Sequence, residues 1–130
     1  MSTIPKELRY SKDHEWINVV EGNIGLCGIT FHAQQLLTDI VFVELPEMGL
    51  TVEAGERVAV VESVKAVSDV FSPVGGKILE VNNALEDEPA LINTDPYEGG
   101  WIYKIGMDNP EDLEALMTAS AYEKFITTGK

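Results

Sequence analysis

Val60-Val61-Glu62-Ser63-Val64-Lys65-Ala66-Val67-Ser68-Asp69-Val70 is apolar at both ends and loses its alternation in the middle. One continuous strand would keep a period of two, so the stretch reads as two short strands meeting at a tight turn, with Lys65 projecting into water at the apex. The same texture continues outward. Ile40–Leu45, closed by Pro46 and a Glu47-Met48-Gly49 turn, Val58–Val61, Ser68–Phe71 and Lys77–Val81 are β-branched runs separated by glycine or proline. Upstream, Trp16–Val20 and Ile24–Ile29 flank Glu21-Gly22-Asn23 as a hairpin would. Gly55–Val61 and Gly75–Val81 each run glycine, two residues, then an apolar strand, a faint internal echo with Lys65 between its halves.

Helical signals sit at the flanks of this β body. Thr30 stands before Phe31–Leu37, where its hydroxyl can accept from a free amide and start a short helix. Near the end, Asp108-Asn109-Pro110 puts a capping side chain before a proline suited to a first helical turn, and Leu113, Leu116 and Met117 recur at helical spacing. Ser120 and Glu123 have the spacing of a capping box, which predicts a second helix start at Ser120. The expectation is a mainly β protein with a short N-terminal helix and C-terminal helices. It forms a single domain over 1–130, with a core at about 16–105 and a helical extension at about 109–127.

Composition narrows the function classes. At 130 residues there is room for one core and no separate regulatory domain. Nine basic against 22 acidic residues give a net charge of −13, which argues against binding a phosphate backbone or an anionic membrane and disfavours self-association, so a monomer is expected. Hydrophobic residues at 45% belong to a folded chain rather than an acidic disordered one. Cys27 is the single cysteine, so no intramolecular disulfide can form, and the two histidines, His14 and His32, make no Cys/His metal cluster with it. No apolar run has the length of a membrane span, and Met1–Arg9 lacks the apolar stretch of a signal peptide, so a cytosolic protein is expected.

The lysine at the turn is where chemistry concentrates. It is one of nine basic residues and is flanked by Val64, Ala66 and Val67, unusual neighbours for an idle exposed loop. A Schiff-base lysine needs a lowered pKa. Glu62 and Asp69 nearby would stabilise the ammonium instead, which disfavours unaided nucleophilic catalysis. An attachment point, acylated by a separate enzyme that supplies the base, suits an exposed apex.

Glu62-Ser63-Val64-Lys65-Ala66, with glycines about ten residues to either side, resembles the attachment hairpin of biotinyl and lipoyl carrier domains. Biotin carriers flank the lysine with methionines, whereas Val64 and Ala66 stand here. A wider ordered set is more specific: His14-Glu15-Trp16, Gly28-Ile29-Thr30, Ala33-Gln34, Asp39–Pro46, Ser68–Val74, Leu91-Ile92-Asn93, Asp95-Pro96-Tyr97 and Gly99-Gly100-Trp101. Together these resemble the H proteins of the glycine cleavage system, over nearly the whole chain from about Leu8 to Tyr122.

That resemblance implies a barrel-sandwich hybrid of two short sheets, with lipoic acid in amide linkage to Lys65 and Glu62, Ser63, Val64 and Ala66 forming the hairpin that the modifying lipoate ligase or lipoyl transferase recognises. It implies a carrier without turnover of its own. A pyridoxal-phosphate glycine decarboxylase would load an aminomethyl group on the arm, a tetrahydrofolate-dependent aminomethyltransferase would remove it, and a flavin dihydrolipoyl dehydrogenase would reoxidise the dithiol. By the same resemblance Glu15, Ser68 and Asp69 are the candidates for a cleft that shelters the loaded arm. A eukaryotic member would work in the mitochondrial matrix, a bacterial one in the cytoplasm, and Met1 followed directly by the domain favours the latter. The alternatives are an H-like carrier that relays lipoate to other complexes, a small lysine-dependent enzyme, and a purely structural interaction module.

The chain departs from the family pattern in places. Thr38 stands where glycine is common, which predicts a different backbone angle there; Gly75-Gly76 replaces a more usual Ser-Gly; Leu36 stands where some members have a histidine near the cleft. His14 and His32 then read as structural or exposed, Cys27 as a small core residue, and Trp16 and Trp101 as core aromatics that wedge the terminal extensions against the barrel.

Overall fold

The computed structural model describes residues 4–127, so Met1–Thr3, part of the stretch read above for a leader, lie outside the described residues. In chain order the elements begin with β1 (Arg9–Tyr10), β2 (Glu15–Glu21), β3 (Ile24–Ile29), α1 (Phe31–Leu37), β4 (Ile40–Glu44) and β5 (Thr51–Val52). Next are β6 (Arg57–Ser63), β7 (Val67–Phe71), β8 (Gly76–Val81), α2 (Ala84–Asp87), α3 (Leu91–Thr94) and β9 (Tyr103–Met107), then a 3-10 helix over Pro110–Ala115 and α4 (Ala119–Thr127).

The strands form two antiparallel sheets, one of order β1-β2-β3-β9-β8-β5 and one of order β4-β6-β7. Among the described residues neither sheet closes on itself; the two enclose one apolar core between them. Ile17, Ile29, Ile78 and Ile105 from the larger sheet share that core with Val43, Val61 and Val70 from the smaller one. The echoed segments fall in different sheets, one leading into β6 and the other into β8, so each contributes a strand to its own sheet. Gly76 is obligatory there, because a Cβ on it would stand 2.1 Å from the Gly106 carbonyl oxygen of β9.

The predicted hairpin pairs Glu15 with Ile29 and turns at Gly22, whose φ of 53° glycine adopts freely. Thr30 caps α1 as expected, its Oγ1 accepting from the Ala33 amide at 3.2 Å. Cys27 is fully buried in β3. Trp16 is also fully buried, and its indole N–H lies 3.0 Å from both the Ile29 and the Pro96 carbonyls. Gly28 makes room for that ring, since a Cβ on it would sit 2.9 Å from the indole. With Leu8, Tyr10, Ala119 and Tyr122, Trp16 forms a second apolar cluster that fastens α4 to the β1 end of the larger sheet, and Trp101 packs against it.

The C-terminal extension differs from its expected form. Asn109 does cap, accepting from the Glu111 amide at 3.2 Å, but the turns after Pro110 are 3-10, and Leu116 is already extended at φ −90°, ψ 162°. Met117 is not helical: its backbone exchanges two hydrogen bonds with Tyr10, at 2.8 and 2.9 Å. A helix this short gains little from propagation, and pairing with β1 outweighs it. α4 then starts one residue before Ser120, and the Thr118 hydroxyl accepts from the Ala121 amide at 3.2 Å.

Thr38 has φ 65° and ψ −146°, a region that glycine enters at little cost and a β-branched residue enters only under strain. The expectation of a departure from a glycine-like angle is therefore corrected. Asn93 holds the strained turn: its Nδ2 donates to the Thr38 carbonyl at 2.8 Å and its Oδ1 accepts from the Ile40 amide at 2.9 Å. Thr38→Gly should raise the unfolding free energy by about 1 kcal/mol, the relieved strain exceeding the added freedom of the unfolded chain. Urea denaturation checks it, and a loss of stability would refute the assignment of strain.

Candidate functional site

Two places carry the residues singled out by sequence. At the first, β6 and β7 run antiparallel in the register Val60↔Asp69, Val61↔Ser68 and Glu62↔Val67 and are joined by Val64-Lys65-Ala66. The Ser63 amide donates to the Ala66 carbonyl at 2.8 Å and closes the turn. The Ser63 hydroxyl accepts from the Lys65 amide at 3.2 Å and the Ala66 amide at 3.0 Å, and the Val64 amide donates to the Asp39 carbonyl at 3.0 Å. Lys65 is exposed, with Val64 and Val67 beside it at 68% and 67% exposure, so the turn lies in solvent with no packing of its own. Among the described residues Lys65 has no ion-pair partner. Asp69, expected to hold the ammonium, faces Arg57 across the hairpin at 3.7 Å, a solvent-exposed pair of little energetic weight.

At the second place Glu15 begins β2 behind His14, whose φ of 69° turns the chain sharply. Glu15 is 2% exposed, so it is a buried acid rather than one of the solvated surface carboxylates. Its Oε1 accepts from the Ser11 hydroxyl at 2.6 Å and its Oε2 from the Phe71 amide at 2.9 Å, joining β2 to the free edge of β7 and hence the larger sheet to the smaller. Burial drives the carboxyl up from 4.5 to about 7, against the two hydrogen bonds that pull it down. It lines a cavity of about 160 Å³ with Ser11, Ser72, Pro73 and Leu116.

β7 connects the two places. It leaves the lysine turn at Val67, carries Ser68 and Asp69, and ends at Phe71, whose amide meets Glu15. By strand rise it spans about 13 Å. Ser68 is half-buried and its hydroxyl donates to the Asp69 carbonyl at 3.4 Å. The structure thus brings Glu15 to the strand that bears Ser68 and Asp69, with the Asp69 carboxylate turned to Arg57.

His14 has a structural partner. Its Nδ1 lies 2.8 Å from the Tyr122 hydroxyl, which shares a second hydrogen bond of 2.8 Å with Thr30 Oγ1, so the cap of α1 is linked to α4. Burial, and then the charge of His32 with its ring 4.9 Å away, lower the His14 pKa. Sequence reasoning did not find Ser11, the Phe71 amide or Tyr122. Ser11 lies four residues before Glu15 and offers a weak signal; a backbone amide from a distant strand offers none. Among the described residues no three His, Cys, Asp or Glu side chains gather to hold a metal, and no helix is long and apolar enough to cross a membrane.

The family model for the glycine cleavage H-protein matches residues 8–129. The chain belongs to this family. It is 54% identical over 126 residues to a glycine cleavage system H protein of Escherichia coli O7:K1, covering 97% of this chain and 98% of that one. To the H protein of Symbiobacterium thermophilum it is 54% identical over 129 residues, covering 99% and 100%. The crystal structure of a glycine cleavage system H protein from Mycobacterium marinum superposes with a TM-score of 0.87 at 44% identity, covering 95% of this chain and 99% of that one. As a member of this family the protein is a lipoyl-carrier component of the glycine cleavage system. The lysine turn fits such a group: an exposed primary amine, no ion pair to break, and a backbone already satisfied without the arm.

The Glu15 carboxyl gives a pH test with a definite sign. Its folded pKa lies above its unfolded value, so its contribution to stability is full below about 4.5 and is lost as pH rises through about 7. His14 acts oppositely, losing stability as pH falls below 6.5. Glu15→Gln isolates the first effect: relative to the parent, its unfolding free energy should climb between pH 4.5 and 7, by about 1–3 kcal/mol. A difference that stays flat over that window, or a carboxyl carbon titration centred near 4.5, would contradict the assignment.

Proposed function

We propose that Lys65 is the lipoyl attachment residue, and that the protein carries the one-carbon amine of glycine between the enzymes of the system without turnover of its own. The observation that carries this reading is an exposed lysine at the apex of β6 and β7, on a turn whose three amides are all bonded, two to Ser63 and one to the Asp39 carbonyl, in a chain of the glycine cleavage H-protein family. The partners are a pyridoxal-phosphate glycine decarboxylase, a tetrahydrofolate aminomethyltransferase and a flavin dihydrolipoyl dehydrogenase, with a lipoate ligase or lipoyl transferase installing the group, in the cytoplasm.

Attachment is an acyl transfer. The Lys65 Nζ attacks the carbonyl carbon of an activated lipoyl donor, a C–N bond forms, and the bond from that carbon to its leaving group breaks. The ammonium gives up two protons, one leaving with the displaced group and one to solvent through the transferring enzyme. The net charge falls from −13 by one positive unit, to −14. Held in amide linkage by Lys65, the lipoyl group would supply a disulfide that can take the one-carbon amine on one sulfur through carbon and become a thiol at the other, the electron pair coming from the C–C bond that glycine breaks as it loses carbon dioxide. Exposure of Val64 and Val67 keeps the stem of Lys65 free to sweep through water, and tethering raises the effective concentration of the cargo at each active site.

Glu15, Ser68 and Asp69 shelter the loaded arm in this proposal. Support comes from β7, which leads from the turn to the Glu15 cavity and bears the other two residues on its way. A buried carboxyl that lines an opening can bind an ammonium while excluding water.

Incubation of the unmodified chain with lipoate ligase, lipoate and ATP should add the mass of one lipoyl group, mapped to the Lys65 peptide and absent in Lys65→Arg. No gain under conditions that modify a known lipoyl acceptor would sink the reading. In the loaded protein, Glu15→Gln with Asp69→Asn should shorten the lifetime of the bound amine without changing lipoylation; an unchanged lifetime would remove the cleft role and leave Lys65 as acceptor.

A further inference from the structure

The three residues of the turn, Val64-Lys65-Ala66, include no glycine, proline, asparagine or aspartate, the residues that ordinarily supply turn chemistry. None of the three has a positive φ, so the path of the backbone is open to any residue, and what needs explaining is how its polar groups are satisfied. One side chain does most of it. The Ser63 hydroxyl accepts from Lys65 N at 3.2 Å and Ala66 N at 3.0 Å, and it lies 3.2 Å from the Ala66 carbonyl, to which it donates. The remaining amide, on Val64, goes to Asp39 O at 3.0 Å, where the chain enters β4. Val64, Lys65, Ala66 and Val67 are all exposed, so no apolar burial holds the turn. Remove the hydroxyl, and water is the only partner left for the Lys65 and Ala66 amides.

We infer that Ser63 is the positioning residue of the acceptor lysine, its hydroxyl ordering the turn so that the enzyme that acylates Lys65 meets an apex already in place. This rests on the reading of Lys65 as the acceptor. An unordered loop must be fixed at the moment of encounter, and that entropy is charged to binding rather than to the acyl-transfer step. With the backbone held, the freedom needed for swinging is confined to the four-carbon stem of the lysine. Ser63 sits two residues before Lys65 and reaches only the backbone of the turn, so it acts through presentation of the amine and not through contact with the acyl group.

The test uses the full unmodified chain with purified lipoate ligase, lipoate and ATP, comparing the parent with Ser63→Ala and Ser63→Thr. Ser63→Ala should raise the KM for the protein substrate on the order of fivefold, as loss of one net hydrogen bond does, with kcat unchanged. By NMR the Lys65 and Ala66 amides of that variant should exchange faster while Tm falls by no more than a few degrees, and Ser63→Thr should restore both KM and amide protection. Equal KM values for parent and Ser63→Ala would overturn the inference. So would a raised KM with unaltered amide exchange, which assigns the hydroxyl to direct contact with the enzyme. Failure of the parent itself to gain mass on Lys65 would overturn the acceptor reading, an outcome distinct from either.

Discussion

A carboxyl group with almost no exposure to water joins the two sheets. Glu15 accepts one hydrogen bond from Ser11 beside it and one from the Phe71 amide at the edge of β7. Desolvating a carboxylate costs several kcal/mol, and each hydrogen bond to the charged form returns about 1.5–3. Two bonds offset only part of that cost, which is why the group's pKa is raised to about 7 instead of staying in the ordinary carboxylate range. An apolar residue would avoid the desolvation but leave the Phe71 amide without an acceptor in a half-buried setting. The carboxyl is the side chain that satisfies the edge of β7 and holds the strand that descends from Lys65.

The rest of the molecule is arranged around that junction. The loop before Glu15 is shaped by His14 at positive φ, and His14 is pinned in turn through Tyr122 on α4. Tyr122 stacks on Tyr10 with ring centroids 4.7 Å apart, and Tyr10 pairs with Met117 ahead of that helix. β1 and α4 therefore converge on the turn that delivers Glu15. Trp16, the next residue, buries its ring on the opposite side, where Gly28 leaves space for it. The terminal extensions act as a clamp on one loop, and Ser11 enters from that clamp to complete the carboxyl's hydrogen bonds.

The sequence made this architecture partly legible, and the pattern of success has physical causes. The hairpin at Gly22, the Thr30 cap and the Lys65 turn were readable because each rests on local chemistry: a turn residue, a hydroxyl three residues before an amide, a break in alternation. β9 was missed although Tyr103, Ile105 and Met107 alternate inward, because Gly106 and the preceding glycine-rich loop mask the period. Met117 looked helical by spacing and is extended by pairing with β1, a partner more than a hundred residues away that no local pattern announces. The exposed turn at Lys65 was legible from its broken alternation, and the attachment role proposed for it comes from the resemblance. The burial of Glu15 was not legible, since a lone acid before a tryptophan looks like any surface acid until β7 is laid against it.

The contrast between the two ends of β7 follows from what each must tolerate. At the Phe71 end a polar group is taken out of water, where electrostatic interactions are strong and small rearrangements change protonation. At the Lys65 end everything is in water, where an ion pair would be worth little and hydrophobic packing is absent. Order there has to come from short-range hydrogen bonds, and a side-chain hydroxyl can supply them without adding bulk or charge beside the amine. A carrier lysine has to be fixed at its backbone and free beyond it. Packing the turn into the core would fix both, and a glycine-rich turn would free both. In the proposed role of Lys65, one serine closing a valine-rich turn would separate the two requirements, because its hydrogen bonds go to the backbone and none goes to the stem of the lysine.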